Sequence, residues 1–435
     1  MLFMLNSSWA LLRPVSRHYE STRMIGVKEF FKVLDIEQVL DLLSQFQPVE
    51  IEPVGLEAAG GRVLAEDVFA AENLPDFARS TVDGYALRAA STFGASESSP
   101  AFFQLIGTVA MGEAAAMPVA SGEAVRIATG GMLPPGADSV VMIEHAETLD
   151  DTAIEVFRSV APGQNLIVAG EDFERGARIA ARGRHLRPQD MGVLAAFGRT
   201  QVQVYRRPVV GIISTGDELV SIDTVPAPAQ VRDVNSYTLA GLVAETGAVS
   251  KRFGIIKDDF PSLHAACAQA MDCCDMVLIS GGSSVGVRDY TVEAVAAFAD
   301  AEILVHGIAI SPGKPTILAR VGHKALWGLP GHVVSAMIVF ARITRPFLRQ
   351  IGGRSDPCAA DVVIPARLSR NVASVQGRTD FIRVRLMRDD AELWAEPVLG
   401  KSGLLNTMVH ADGIIEIGKN IEGLEEGTRV EVILF

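Results

Sequence analysis

Between Arg206 and Ile351, short apolar runs alternate with stretches long enough for helices, and few folds accommodate that rhythm. The runs PVVGIIS and MVLIS read as buried strands, RFGII as a further strand, and KALWGL leads through PGH into a helix. Between and after them come NSYTLAGLVAETG, PSLHAACAQAM, YTVEAVAAFAD and VVSAMIVFARI, each with helical spacing of its apolar residues. Asn235 or Ser236 is the expected N-cap of the first, Gly247 its terminator, and Pro261 opens the second. Strands joined by helices of ten or more residues build βαβ units, so residues 206–351 are expected to form a doubly wound, mostly parallel α/β domain.

The remaining chain reads as other units. Residues 24–71 have a helical pattern with Val39, Leu40, Leu42 and Leu43 on one face. Residues 72–158 are β-rich, and SVVMIEHAET with AIEVF suggests a hairpin about an LDD turn. Residues 159–205, with a helix in PQDMGVLAAFG, are expected to pack back on 24–71 as one discontinuous N-terminal domain. Residues 352–435, with FIRVRLM and ELWAEPVL, suggest a small β-barrel or sandwich, the barrel being preferred. A chain of 435 residues, 49% hydrophobic, has enough apolar surface for several cores.

The charge narrows the partners. A net charge of -13 argues against nucleic acid or an anionic membrane as the main partner. No apolar run is long enough to span a bilayer. Four cysteines without a C-x-x-C point to free thiols in a reducing cytoplasm. The opening MLFMLNSSWALLRPVSRHYESTRM is apolar first and basic afterwards, the reverse of a signal peptide, so the working protein is expected to begin near Met24.

In an open parallel sheet, ligands bind beyond the carboxyl ends of the strands, so the residues just past each strand carry the functional argument. They are Thr215-Gly216-Asp217-Glu218, then Lys257-Asp258-Asp259, then Ser280-Gly281-Gly282-Ser283-Ser284-Val285-Gly286 before Arg288 and Asp289, and finally Pro330-Gly331-His332. Singly, each has an ordinary explanation, such as a turn or a helix cap. Together they bring carboxylates, hydroxyls and bare glycine amides to one edge. Oxygen donors without thiols or paired histidines suit Mg²⁺ at Glu218, Asp258, Asp259 and Asp289. Glycine amides and a helix start suit an anion, and Lys314, between two prolines, adds a cation. The Gly/Ser loop matches neither the dinucleotide fingerprint nor the P-loop.

The motifs STGDEL, SGGSSVGVRDY, SPGKP and LPGHVVSA, in this order, resemble the molybdopterin-binding domain of the MoeA and gephyrin E-domain family. PDFARSTVDGYAL, IATGGMLPPGADSVVMIE and GEDFERG upstream, and GRTDFIRVRL downstream, extend the resemblance over Met24 to Phe435. It implies a homodimer with a shared active site, in which a Mg²⁺-dependent step inserts molybdate into adenylylated molybdopterin and releases AMP. A molybdopterin adenylyltransferase is the implied partner. The catalytic residues carried over are Asp83, Thr129, Glu218, Asp259 and Asp289, with Asp83 and Thr129 reaching the cleft from the other subunit. Thr215, Gly216, Asp217, Ser280, Gly281, Gly282, Ser283, Ser284, Gly286 and Lys314 would hold the pterin phosphates, and Pro330, Gly331 and His332 would shape the molybdate pocket.

Three departures stand out. His332 and Val333 replace the usual Asn and Pro of LPGNPVSA; Asn165-Leu166-Ile167-Val168-Ala169 lacks an Arg common before GEDFERG; and Gly131 replaces Ala. Two other readings use the same domain: an adenylyltransferase or nucleotide-pyrophosphate hydrolase, and a non-catalytic molybdopterin carrier or scaffold paralogue.

Overall fold

The computed structural model describes residues 33–281, 290–359, 362–389 and 392–435. Its centre is the α/β domain, whose elements are numbered in chain order. They are β1 (Val209–Thr215), α1 (Asn235–Glu245), β2 (Val249–Ile256), α2 (Phe260–Cys273), β3 (Met276–Ser280), α3 (Tyr290–Ala296), β4 (Ala301–His306), β5 (Ile317–Val321), β6 (Lys324–Leu329) and α4 (Val333–Val339). The strands form one six-stranded sheet in the order β2-β1-β3-β6-β5-β4, with β5 antiparallel to both neighbours.

The uninterrupted apolar runs have a direct cause. Along β3, Met276 and Leu278 face one core with Leu239 and Val243 of α1 and Val334 and Ile338 of α4. Val277 and Ile279 face the other, with Leu263, Cys267 and Ala270 of α2 and Ala294 and Val295 of α3. A strand covered on both faces needs apolar residues at every position. The chain moves from β1 outward to β2, then back across to β3, which puts the reversal of strand order between β1 and β3.

Two local expectations are corrected. Neither Asn235 nor Ser236 caps α1; Asp233 does, accepting from the Ser236 amide at 3.1 Å while Ser214 Oγ donates to its other oxygen at 2.8 Å. The helix after β6 runs beyond Ile343: a π-helical turn over Phe340–Thr344 leads into Arg345–Ile351, with Pro346 tolerated in its first turn.

The rest of the chain forms further units. Residues 33–46 lie on it, where Val39, Leu43 and Phe46 join the core of Trp327 and Phe347, the Phe46 and Phe347 rings meeting edge-on at 5.5 Å. The strand Ile51–Gly55 and the short Val63–Leu64 both pair with Gln201–Tyr205, and their core includes Leu186 and Leu194. In the β-rich region, Ala146–Asp150 and Ala153–Val156 form the expected hairpin, but Ser139–Met142 leaves it to pair with Gly84–Leu87 on the opposite edge of the sheet. Near the C-terminus, Thr379–Asp389, Glu392–Pro397, Val363–Leu368, Arg429–Leu434 and Gly413–Ile417 pair in a ring that closes on itself, a five-stranded barrel. Ile310–Ser311 pairs with Thr379–Asp380 and joins the α/β domain to it.

Candidate functional site

The register brings the strand ends level. Ser214, Ser280 and Leu329 are cross-strand neighbours, and Thr215 lies beside Ile256. The loops leaving these strands therefore open on the same edge. Since β5 runs antiparallel and begins with Ile317 opposite Gly328, the Lys314 loop reaches this edge too, with the lysine exposed.

Backbone contact at the reversal point requires glycine. At Gly281, φ is +108°, and a β-carbon would stand 2.0 Å from the Thr215 carbonyl oxygen. The same atom placed on Gly331 would lie 3.6 Å from the Gly281 Cα. Thr215, Gly281 and Gly331, from three strands, thus meet. Asn235 fastens them: its buried side-chain amide donates to Ser280 Oγ and to the Gly331 carbonyl, each at 2.7 Å. Sequence reasoning placed Asn235 only as a cap, because an Asn at a helix start has that local explanation and its distant partners leave no local signal.

The acids crowd beside this point. Thr215 Oγ1 donates to Asp258 at 3.4 Å, the Asp258 amide donates to Asp217 at 3.4 Å, and the Glu218 carboxylate lies over Gly216. Burial pushes the Asp258 carboxyl above the usual carboxylate range, against the Thr215 hydrogen bond, and the charges of Asp217, Glu218 and Asp259 add to the rise. Asp259 is occupied differently: it caps α2, one oxygen accepting from the Ser262 amide at 2.9 Å and the other from the Ser262 hydroxyl at 3.0 Å. Those bonds, the amide foremost, hold its carboxyl below the usual range. Among the described residues, no three His, Cys, Asp or Glu side chains are grouped to hold a metal ion. Gly282, Ser283, Ser284, Gly286 and Asp289 lie outside the described residues.

His332 turns toward the barrel unit, while Val333 is buried in the core. His332 Nδ1 and Ser402 Oγ are 2.8 Å apart, and the Val334 amide at the start of α4 donates to the Ser402 carbonyl at 3.1 Å. Buried Arg383 steadies that loop through Thr407 Oγ1 and the Gly400 carbonyl, both at 2.8 Å. Ser402 and Arg383 could not be found by reading along the chain, since their partners come together only after the barrel closes. Pro330 is buried, whereas Gly331 and His332 are exposed.

Asp83 and Thr129 form a pair of their own. One Asp83 oxygen accepts from the Thr129 amide at 2.7 Å and from its hydroxyl at 3.0 Å, and these bonds, the amide first, hold the carboxyl below its usual range. Both residues are exposed, and no hydrogen bond among the described residues joins them to the sheet edge. The segment lacking the expected Arg serves the backbone: Leu166–Ile167 pairs with Arg79–Ser80, and Asn165 donates to the Val140 carbonyl at 2.8 Å.

A doubly wound domain with glycines and carboxylates at its reversal point, in one chain with β-rich units and a closed barrel, defines a multidomain α/β protein. Family models match nearly the whole chain: "MoeA N-terminal region (domain I and II)" over 34–198, "Probable molybdopterin binding domain" over 211–350, and "MoeA C-terminal region (domain IV)" over 365–435. The chain is 31% identical over 406 residues to the molybdopterin molybdenumtransferase of Bacillus subtilis, covering 92% of this chain and 94% of that one. Two crystal structures of the molybdopterin biosynthesis MoeA protein of Pyrococcus horikoshii are also similar. One is 37% identical with a TM-score of 0.76, spanning 93% of this chain and 99% of that one. The other is 32% identical with a TM-score of 0.80, spanning 93% and 100%. The chain belongs to the MoeA family.

Proposed function

We propose that this chain is a molybdopterin molybdenumtransferase of molybdenum cofactor biosynthesis, inserting molybdate into adenylylated molybdopterin with release of AMP in a Mg²⁺-dependent step. The observation that carries the reading is the meeting of Thr215, Gly281 and Gly331 at the sheet's reversal point, fastened by Asn235. Backbone that close, without side chains, leaves room for phosphate groups to approach amides.

The donor set fits Mg²⁺ in kind. Glu218 and Asp258 present hard carboxylate oxygens; burial chiefly raises Asp258, and the neighbouring acid charges that add to the rise are what a dication would offset. Glu218, Asp258 and Asp289 would hold the ion, while Asp259 serves chiefly to fix the start of α2 and hence the position of Asp258. Bound there, Mg²⁺ supplies neutralisation of pyrophosphate charge. Thr215, Gly216, Asp217 and Ser280, with the Gly282–Gly286 loop, would cradle the phosphates, and Lys314 would offset their charge. Pro330, Gly331 and His332 would border the molybdate. Asp83, its carboxylate kept ionised by Thr129, would reach the cleft from a second subunit of a homodimer in the cytoplasm, with a molybdopterin adenylyltransferase handing over the substrate.

Incubation with adenylylated molybdopterin, Mg²⁺ and molybdate, following AMP and metal insertion, tests this. AMP together with loaded cofactor is expected. AMP without insertion would make the chain a pyrophosphate hydrolase, and tight binding without AMP a carrier.

A further inference from the structure

At the end of the sheet opposite the candidate site, α2 finishes on Cys273, and Cys274 follows in extended backbone before β3 begins. Two of the chain's four cysteines therefore stand side by side. Cys273 is exposed and Cys274 is buried, with their sulfurs 3.9 Å apart.

Packing fixes the Cys274 sulfur. A β-carbon placed on Gly211 of β1 would lie 3.2 Å from it, so the glycine makes its room. Cys273 meets a cation instead. Lys251 Nζ, reaching across from β2, donates to the Cys273 sulfur at 3.2 Å, and the same ammonium lies 5.4 Å from the centre of the Phe253 ring. The Cys273 thiol itself donates to the Gln269 carbonyl at 3.3 Å. The end of α2 carries about half a negative charge spread over its last carbonyls and opposes a thiolate, but a full positive charge in contact outweighs it. Neighbouring acids add little. Asp275 is held by the Val209 amide and bidentately by Arg206, and Asp272 is exposed, where water and salt screen it. An exposed thiol touching an ammonium is the arrangement of a nucleophilic cysteine, and a second sulfur within 4 Å gives it a partner.

We infer that Cys273 and Cys274 form a thiol-exchange site for a low-molecular-weight disulfide. Cys273, losing its proton, attacks one sulfur of that disulfide; a mixed disulfide forms, the original S–S bond breaks, and the departing thiolate is protonated. Cys274 then loses its proton and attacks Cys273 Sγ, expelling a second thiolate that is protonated in turn. The pair is oxidised, the small disulfide is reduced to two thiols, and two hydrogens have been transferred. Adjacent Cα atoms stand about 3.8 Å apart, closer than the roughly 4.4–6.8 Å usual in disulfides. The product is therefore strained and readily reduced by excess thiol, which makes the modification reversible.

Full-length protein treated with oxidised glutathione, with each cysteine followed by peptide mass spectrometry, tests this. Cys273 is expected to react ahead of Cys358, which is also exposed but has no ammonium donor among the described residues. Lys251→Met, a change on the surface, should slow the first step about three- to tenfold, since the gain in thiolate is partly offset by its lower nucleophilicity. The wild-type chain should end two hydrogens lighter at Cys273–Cys274 without retained glutathione, whereas Cys274→Ala should retain one glutathione on Cys273. If Cys274→Ala does not fold, the mass of the wild-type product decides. Glutathione retained by the wild type, equal rates at Cys273 and Cys358, or an unchanged rate in Lys251→Met overturns the proposal.

Discussion

The Asn235 side-chain amide donates a 2.7 Å hydrogen bond to the Gly331 carbonyl, crossing from the first helix of the α/β domain to the turn after its central strand β6. The same nitrogen holds Ser280 Oγ at 2.7 Å, so one buried side chain sets the spacing of two strand ends. Replacing it with alanine leaves both acceptors without this donor. Asn235→Ala is expected to lower stability by about 1–3 kcal/mol in urea unfolding and to reduce kcat for AMP release more than it raises KM. Unchanged stability and kinetics would show the bridge to be incidental.

Gly281 and Gly331 should respond differently to one methyl group. Gly281→Ala forces a β-carbon to 2.0 Å from the Thr215 oxygen at φ +108°, and a loss of at least about 2 kcal/mol is expected. Gly331 offers ordinary contact space, its nearest neighbour being 3.6 Å away. Gly331→Ala should therefore change stability by less than about 0.5 kcal/mol, while weakening substrate binding if the turn borders the ligand. Equal unfolding midpoints for the two variants would contradict this geometry.

If Asp83 serves the site of the other subunit, variants of Asp83 and Asp289 should complement. Asp83→Ala and Asp289→Ala are each expected to be inactive as homodimers and near wild type in thermal midpoint. Dissociated and reassembled together, they should recover roughly a quarter of wild-type turnover, since half of the dimers are mixed and each mixed dimer has one intact site. No recovery in verified mixed dimers would place Asp83 outside a shared site.

The Arg206–Asp275 pair makes a prediction about acid. Burial alone would raise the Asp275 carboxyl, but the Arg206 hydrogen bonds and the Val209 amide outweigh it, so the folded state holds it below the ordinary carboxylate value. A depressed folded pKa means stability that is present in full above the unfolded value and lost as pH falls through the folded one. Asp275→Asn should cost about 1–3 kcal/mol at neutral pH, with the deficit shrinking below about pH 4. A pH-independent deficit in unfolding free energy would count against the ion pair.

His332→Asn removes the 2.8 Å contact with Ser402 and restores the residue usual in the family. The expected outcome is a changed preference between molybdate and tungstate, measured as the ratio of kcat/KM values, because the turn after β6 would lose its side-chain tether and keep only the Val334 amide bond to the barrel loop. An unaltered ratio would mean that the tether shapes only the junction between units.

Much of the fold was legible because burial on two faces leaves a plain trace. Met276 to Ile279 must all be apolar when alternate residues enter separate cores, and the intervening helices supply the covering faces. Places where local chemistry admits two answers were harder to read. Asn235 suits a helix cap, yet Asp233 takes that role and leaves the Asn amide for the sheet edge. Asp259 reads equally well as a metal ligand or a cap, and its two bonds to Ser262 are those of a cap. Ser139–Met142 reads as the start of the hairpin but pairs with Gly84–Leu87 across the sheet.

By itself, the order of residues determined the periodicities, and with them the α/β domain and the set of polar residues at the ends of its strands. Periodicity is a local consequence of which side chains must leave water, so it can be read along the chain. Tertiary structure alone decided which residues are neighbours: that Gly331 lies beside Gly281, that Ser402 meets His332, and that Lys251 reaches Cys273. Such contacts depend on strand register and on the closing of a barrel, which arise from many weak interactions between distant segments, and no short stretch of sequence contains them.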